Sequence, residues 1–465
     1  MTASQKAMGK ALLKAVFIKS GSSTLTYDID STTNRILALQ HPQQEWSQTA
    51  QILLDNRDQN LTGIVFEGYS GVISYGYNDP TAGDEFSATA PLTVISAKAD
   101  TIFRPNGDLL VSIGLAGLFN MWGEQEATEA YTPDRINTDT VKTILDAIAG
   151  ATLTCFNTYP AHTITYDSGY DDSIINAFTP KDSFSISKGE SRLSAFKKAM
   201  YFLKCKARVR NDAGVATIHI FQPTITGTTY DYEYNDAIAA ANHNFFNKST
   251  RTRLVLPNKV VVMNHPSHTD TYTGSAADAA SYAALGNQYY TKTVYVRPDS
   301  NAQCDLIAAA ILQGYQMAAE KGHGVAPMNV GQEVIDYVKI TDSAANDTRI
   351  GNIGFLQRNY SAGKFEFEFR FGELFASGLA GTLPPRALEA MTPGEITPTD
   401  FKQLWENVLA LAEAYSTLYD YLNNMNNVIQ AVAAYVYAIE DNAEFSRLSV
   451  TERFFGPQGT NMYDV

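Results

Sequence analysis

The sequence predicts an α+β fold, mainly β, that ends in a coiled-coil helix. Three observations carry that reading. Short apolar runs divided by turn residues fill two β-rich blocks, about 20–120 and about 250–372. The run KFEFEFRFG alternates strictly, with Phe365, Phe367, Phe369 and Phe371 on one side and Glu366, Glu368 and Arg370 on the other. That pattern fits a strand with one buried and one wet face. After Asp400, a plausible N-cap, apolar residues keep a 4–3 spacing for more than five heptads.

Composition allows sizeable cores. The chain has 465 residues, 45% hydrophobic and 18% charged, rich in Tyr and Phe, which is room for roughly two to four domains. A formal charge of −14 argues against a nucleic-acid-binding surface, which gathers Lys and Arg to neutralise phosphates. Cys155, Cys205 and Cys304 are odd in number and widely spaced, and they read as small buried apolar residues rather than a zinc site or disulfide framework. The N-terminal KAMGKALLKAVFIK is superficially like a signal peptide. Lys14 breaks its apolar run and no A-x-A site follows, so that reading is rejected. Val428 to Ile439 contains Gln430 and is too short to span a bilayer, and synthesis in a cytoplasm is expected.

Taken in order, the first β block carries AQILLDN, GVISYGY, PLTVISA and DLLVSIGL, with Asn106-Gly107 as a turn. A helix is expected next, capped by Thr138 and stopped by Gly150, with Val141, Ile144, Leu145 and Ile148 on one face. A loop-rich stretch follows to about 185. A second helix, roughly 190–204, presents Leu193, Phe196, Met200 and Leu203, and leads into the hairpin KARVRNDAGVATIHIF. TRLVLPNKVVVM and TKTVYVRP resume the strand pattern. A third helix, 300–321, opens with Ser300-x-x-Gln303 at capping-box spacing and stops at Gly322, with Leu306, Ile307, Ala310, Ile311 and Tyr315 on its face. The expected segments are therefore 1–130 (β), 131–250 (an α/β insertion), 251–375 (β, with helix 300–321), a Pro/Gly linker 376–400, the coiled-coil helix 401–442 and a tail 443–465. No repeat of 20–50 residues is visible.

In the heptads, Phe401, Val408, Tyr415, Leu422, Ile429 and Val436 take position a, and Leu404, Leu411, Leu418, Met425, Val432 and Ile439 take position d. The f positions include Glu406, Glu413, Asp420 and Asn427. Trp405, Ala412, Tyr419 and Tyr421 widen the apolar stripe, and the late β-branched residues at both a and d lean toward three strands. A helix packed on its own body is the alternative.

Chemistry has little support. His265 and His268 lie in a Pro-containing turn without a third ligand, and His323 in KGHGVAP reads as a turn past a helix stop. GYSGV around Ser70 lacks the spacing of a nucleophile elbow, and no phosphate-binding glycine motif occurs. Asp84-Glu85 and Asp171-Asp172 read as solvated acidic pairs rather than glycosidase carboxylates. No catalytic residue, cofactor or metal is expected.

The stretch TVYVRP, SNAQCDLIAAAIL, VAPMNVGQEVIDYVKIT and RIGNIGFLQRNYSAGKFEFEFRFG resembles the tail hubs of tailed bacteriophages. So does the earlier EWSQTAQILLDNRDQNL, GVISYGY, GDEFSATAPLTVISA. Together these loose patterns cover about half the chain. The resemblance implies two tail-tube-like β-barrels per chain with a small α/β insertion, so that a homotrimer presents six barrels to a six-fold tube. It also implies a virion protein at the tail tip, contacting the tail tube or distal tail protein, the tape measure protein and tip or fibre proteins. A channel for DNA would run along the axis, closed by the coiled coil until infection, and the formal charge of −14 leads to the expectation of a carboxylate-rich wall. A trimeric receptor-binding or fibre protein is the rival reading, and a tail-associated cell-wall hydrolase a third. Many hubs continue into a hydrolase domain, whereas this chain ends about 25 residues after its heptads.

Overall fold

The first strand among the described residues is Lys10–Ile18, within the apolar run that superficially resembles a signal peptide, with Leu13, Ala15 and Phe17 buried. A computed structural model describes residues 10–372, apart from 31–32, 67, 80–82, 96–99, 104–108, 135, 168–172, 237–242, 245–246, 252–253 and 266–268. The linker, the heptads 401–439 and the tail expected from the sequence lie outside the described residues.

A 16-stranded sheet runs through both β blocks. Its first part orders Leu25–Asp28, Lys10–Ile18, Ser70–Asp79, Leu92–Val94, Leu109–Ala116, Ser47–Asp55 and Ile36–Gln44. The strand Ile36–Gln44 then pairs antiparallel with Asp347–Ser361, from Phe355 opposite Gln44 to Ser361 opposite Ala38. Asp347–Ser361 is 15 residues long and serves several neighbours. It pairs with Tyr337–Asp342 over its first half and with Lys364–Phe371 over its second. From there the ladders continue through Lys321–Pro327 to Asn247–Arg251, and through Tyr232–Asn235 to His243–Asn244.

The alternating strand behaves as its period dictates. Phe367, Phe369 and Phe371 are buried, Phe365 is partly buried, and Glu366, Glu368 and Arg370 take the opposite face. Gly324 permits this packing, because a Cβ there would meet the Phe369 ring at 2.4 Å. These rings share one core with Leu13, Phe17, Ile52, Ile73 and Ile113 of the first block.

A second core is built from two stretches of sequence, Leu118 to Ile220 and Val255 to Leu312. Two three-stranded sheets and the helices Val141–Ala149, Arg192–Met200 and Asn301–Ala319 surround it. Val260, Val262, Val294 and Val296, read from the sequence as part of the second β block, send their side chains into this core instead. Ile307, Ala308 and Ile311 of the long helix join them, while Met317 at its end reaches the first core. Strand periodicity marks which face is apolar but not which sheet a strand enters.

Local signals needed small revisions. The first helix begins after Thr140, whose Oγ1 accepts from Thr143 N at 3.3 Å, rather than after Thr138. Gly150 is its C-cap, as its position suggests. In the long helix Ser300 Oγ accepts from Gln303 N at 3.2 Å, while Gln303 Oε1 accepts from Asp299 N at 2.8 Å, one residue before the usual reciprocal partner. That helix ends before Glu320, so Gly322 is no stop. Gly322 and His323 are strand residues, and His323 Nε2 lies 3.3 Å from Glu368 Oε1. The hairpin Lys206–Asp212 and Val215–Phe221 turns at Ala213 and Gly214, with φ of 52° and 90°, and the pair of positive angles matches strand twist.

Candidate functional site

The most elaborate polar constellation sits where the two β blocks meet. His41 of Ile36–Gln44 lies directly opposite Arg358 of Asp347–Ser361. The backbone parity that turns Leu39 and Leu356 inward turns these two inward as well, so an imidazole and a guanidinium occupy core positions at 0% and 3% exposure. His41 Nε2 accepts from the amides of Gln48 at 2.9 Å and Gln43 at 3.3 Å. Nδ1 therefore carries the ring proton and meets the Tyr75 hydroxyl at 2.8 Å. Burial, and then the charge of Arg358, holds the His41 pKa well below its ordinary value, so the ring is neutral. Arg358 donates to Gln43 Oε1 at 2.5 Å and to the Gln332 carbonyl, and its guanidinium lies 5.2 Å from the Tyr75 ring centroid.

The network continues into the 329–336 loop and the hairpin. Gln332 Nε2 donates to Asp336 Oδ2 at 2.9 Å, and Arg208 donates to Asp336 Oδ1 at 3.2 Å, to the Val334 carbonyl at 2.9 Å and to Glu333. Burial pushes the Asp336 carboxyl up to about 7 against the pull of Arg208. For Arg208 burial disfavours the charge, but Glu333 and Asp336 outweigh it and keep it ionised. Beside it the Glu45 carboxyl, raised by burial, accepts from Lys206 at 2.8 Å. A cleft of about 240 Å³ opens here, with Gln44, Gln48, Thr89, Arg208, Glu333 and Arg358 among its lining.

Chemically this arrangement is a clamp. It joins three segments far apart in sequence by hydrogen bonds across their junction, with Arg358 Nε, Arg208 Nε and Glu45 Oε2 left without one, and its histidine faces a phenol and two amides. Sequence reasoning missed His41, Arg358 and Asp336. The available signal was a charged or polar residue in the inward register of an otherwise apolar strand, as in Leu356-x-Arg358-x-Tyr360.

The residues singled out from the sequence fall elsewhere. The oligomerisation set from Leu404 to Ile439 lies outside the described residues, as do His268 and Asp171-Asp172. His265 meets the Tyr295 ring at 6.2 Å, and among the described residues no group of three His, Cys, Asp or Glu is placed to hold a metal. Ser70 Oγ donates to the Ile18 carbonyl at 3.3 Å at the start of a strand. Asp84 accepts from Asn78 at 2.7 Å. Cys155, Cys205 and Cys304 are all buried, and burial pushes the Cys155 and Cys304 thiols up to about 11. Among the described residues no helix is long and apolar enough to cross a membrane.

No family model and no curated protein matches the sequence. Solved structures do match. The fold is that of a tail protein from Neisseria meningitidis MC58, with a TM-score of 0.52 at 10% identity over 78% of this chain and 96% of that one. Prophage tail protein gp18 from Listeria monocytogenes gives 0.47 at 9% identity, covering 81% and 98%. A 43 kDa tail protein of prophage MuSo2 from Shewanella oneidensis gives 0.46 at 8%, covering 81% and 99%.

Proposed function

We propose that the chain is a non-enzymatic structural protein of a virion, the hub of a tail tip, in which three copies adapt a six-fold tail tube to a three-fold tip. One observation carries this reading: two β blocks of a single chain join edge to edge through Ile36–Gln44 and Asp347–Ser361. In this reading 10–116 forms a first tube-like barrel, and 232–251 with 321–372 forms a second, its circuit of ladders returning through the neighbouring segments His243–Asn244 and Asn247–Arg251. Residues 117–221 and 255–319 form the insertion. Three copies then offer six barrels around one axis. The likeness of fold to the Neisseria tail protein supports the same role.

The segment 401–442 supplies the three-stranded coiled coil, with 376–400 as its linker. The tail tube or distal tail protein and the tape measure protein are the partners on one side, tip or fibre proteins on the other, and the bundle closes the DNA channel before ejection.

The mass of the full-length protein in solution tests the assembly, with three times 50.9 kDa expected. Leu418→Asp with Leu422→Asp should reduce it to a single chain. A wild type that stays monomeric at micromolar concentration, or a double variant that remains trimeric, overturns the reading.

A further inference from the structure

One strand edge beside the clamp has no ladder partner. In the three-stranded sheet of Ile164–Tyr166, Val215–Phe221 and Lys206–Asp212, the last strand is terminal. Ile218 donates its N–H to the Thr163 carbonyl, and the Ile220 carbonyl accepts from Asp167 N. By alternation Val215, Thr217, His219 and Phe221 bond the other way, to Asp212, Arg210, Arg208 and Lys206 opposite them. The N–H and C=O of Ala207, Val209 and Asn211 therefore point off the free edge. Ala207 is buried, which leaves Val209 and Asn211 as the open pair, and no main-chain hydrogen bond is made there among the described residues. This edge runs along the cleft of about 240 Å³, whose lining includes every residue from Ala207 to Asp212.

The chemistry of the cleft narrows the choice of occupant. Its charges answer one another, Arg208 and Arg210 meeting Glu333 and Lys206 meeting Glu45. Buried in its walls, Arg208 Nε and Arg358 Nε are donors without an acceptor, and Glu45 Oε2 is an acceptor without a donor. An anion or a cation would serve one kind alone and upset the paired charges. An uncharged run of amides serves both, and an extended one also continues the ladder. Such a run follows close by in the sequence. Gly372, the last described residue, donates its N–H to the Asn352 carbonyl at 3.2 Å. Asn352 Nδ2 donates in turn to the carbonyl of Ile335, a residue of the cleft lining, at 2.9 Å. After Glu373, residues 374–385 (LFASGLAGTLPP) carry no charge, and Pro384-Pro385 would end a ladder. Ten extended residues reach about 33 Å, whereas Gly372 and Ile335 are separated by about two strand spacings, roughly 10 Å.

We propose that residues 374–383 of the same chain add to Lys206–Asp212 as a further strand, bonding to Val209 and Asn211 and filling the cleft. The covalent tether makes this pairing intramolecular, so a few hydrogen bonds suffice to hold it. The free part of the linker then begins near Pro384. The inference stands apart from the hub reading and holds for any number of assembled copies.

Two measurements on the full-length protein test this. In amide hydrogen exchange, Arg208 and Arg210 are the internal reference, because their N–H groups already bond to Val215–Phe221. The Val209 and Asn211 amides should exchange slowly in wild type. In the variant Gly378→Pro with Leu379→Pro, which loses a ladder donor in either register, they should exchange at least tenfold faster. Leu388→Pro with Glu389→Pro, beyond the double proline, should leave them slow. Fast exchange in wild type, or slow exchange in Gly378→Pro with Leu379→Pro, overturns the proposal. The second measurement places p-benzoylphenylalanine at the exposed position of Asp212. Irradiation should join it to a residue within 374–383 at the denatured mass of one chain, 50.9 kDa. An adduct at twice that mass assigns the strand to a second copy and overturns the same-chain occupant. Irradiation that gives no adduct within 374–383 overturns the occupant altogether.

Discussion

The two cores of this molecule are held together by opposite means. The sheet core is a layer of apolar side chains in alternating register, and its polar intrusion, the His41–Arg358 clamp, lies at the seam between two blocks. The second core gathers short helices and small sheets around an aromatic cluster in which Trp46, Phe119, Trp122 and Phe196 meet at centroid distances of 5.2 to 6.2 Å. Its organiser is one fully buried cation. Arg192 stands 4.3 Å over the Trp122 ring and donates to the carbonyls of Ile148, Ala149 and Pro160 and to Gln125 Oε1. In doing so it adds a second donor to the carbonyls at the end of Val141–Ala149, where the amides of Ala151 and His162 already reach Ile148 and Ala149. Sheets carry their hydrogen bonds in their ladders, so a polar side chain is needed only where ladders join. A cluster of short elements leaves backbone groups open at many ends, and one guanidinium closes several.

The contrast can be broken most severely at Arg192. Arg192→Met keeps much of the volume but removes four hydrogen bonds and the contact with the Trp122 ring, so denaturant unfolding should register a loss of about 3–5 kcal/mol. A loss below about 1 kcal/mol would show that the backbone amides of Ala151 and His162 hold this helix end without the guanidinium. In the sheet core, Phe369→Ala and Phe367→Ala should each cost a similar 3–5 kcal/mol, by cavity formation rather than lost polar contacts. Refilling separates the two cases: Phe369→Leu should recover most of the loss, whereas Arg192→Lys should recover little, because one ammonium cannot reach four acceptors.

Acid tests the seam next. The folded-state pKa of His41 lies well below the unfolded value of about 6.5. The unfolded chain therefore binds the proton first. Stability from His41 is complete above about pH 6.5 and declines below it by up to roughly 1.4 kcal/mol per pH unit. Asp336 acts with the opposite sign. Its pKa is raised to about 7, so its contribution is fully present only below its unfolded value near 3.9 and is lost as pH rises toward 7. Across pH 4.5–8, His41→Gln should therefore remove a rise of thermal stability with pH below about 6.5, and Asp336→Asn a fall with pH up to about 7, two slopes of opposite sign in overlapping windows. Identical profiles for wild type and His41→Gln would mean the imidazole titrates freely.

The smallest expected effect is at the first helix start. Thr140→Ala should cost about 1 kcal/mol, and Thr138→Ala close to nothing. The reverse order would return the cap to the position that sequence spacing favoured.

Much of the local structure was legible because it depends on neighbours in sequence. The alternation at 365–371, the helix face of Val141, Ile144, Leu145 and Ile148, the N-cap Ser300 and the turn before Val215 all follow from periodicity or backbone preference within a few residues. The mainly β class and the burial of the cysteines follow from the same kind of information. Tertiary structure alone decided the pairings. Arg358 donates to a glutamine 315 residues away, the Tyr77 hydroxyl to the Met328 carbonyl 251 away, and Arg192 finds helix-end carbonyls more than 40 residues upstream. It also decided that 259–264 and 291–296 enter the second core. The physical reason is common to all of these. Side-chain period specifies which way a residue points relative to its own strand, whereas the identity of what it meets depends on how distant ladders come into register, and no local pattern encodes that.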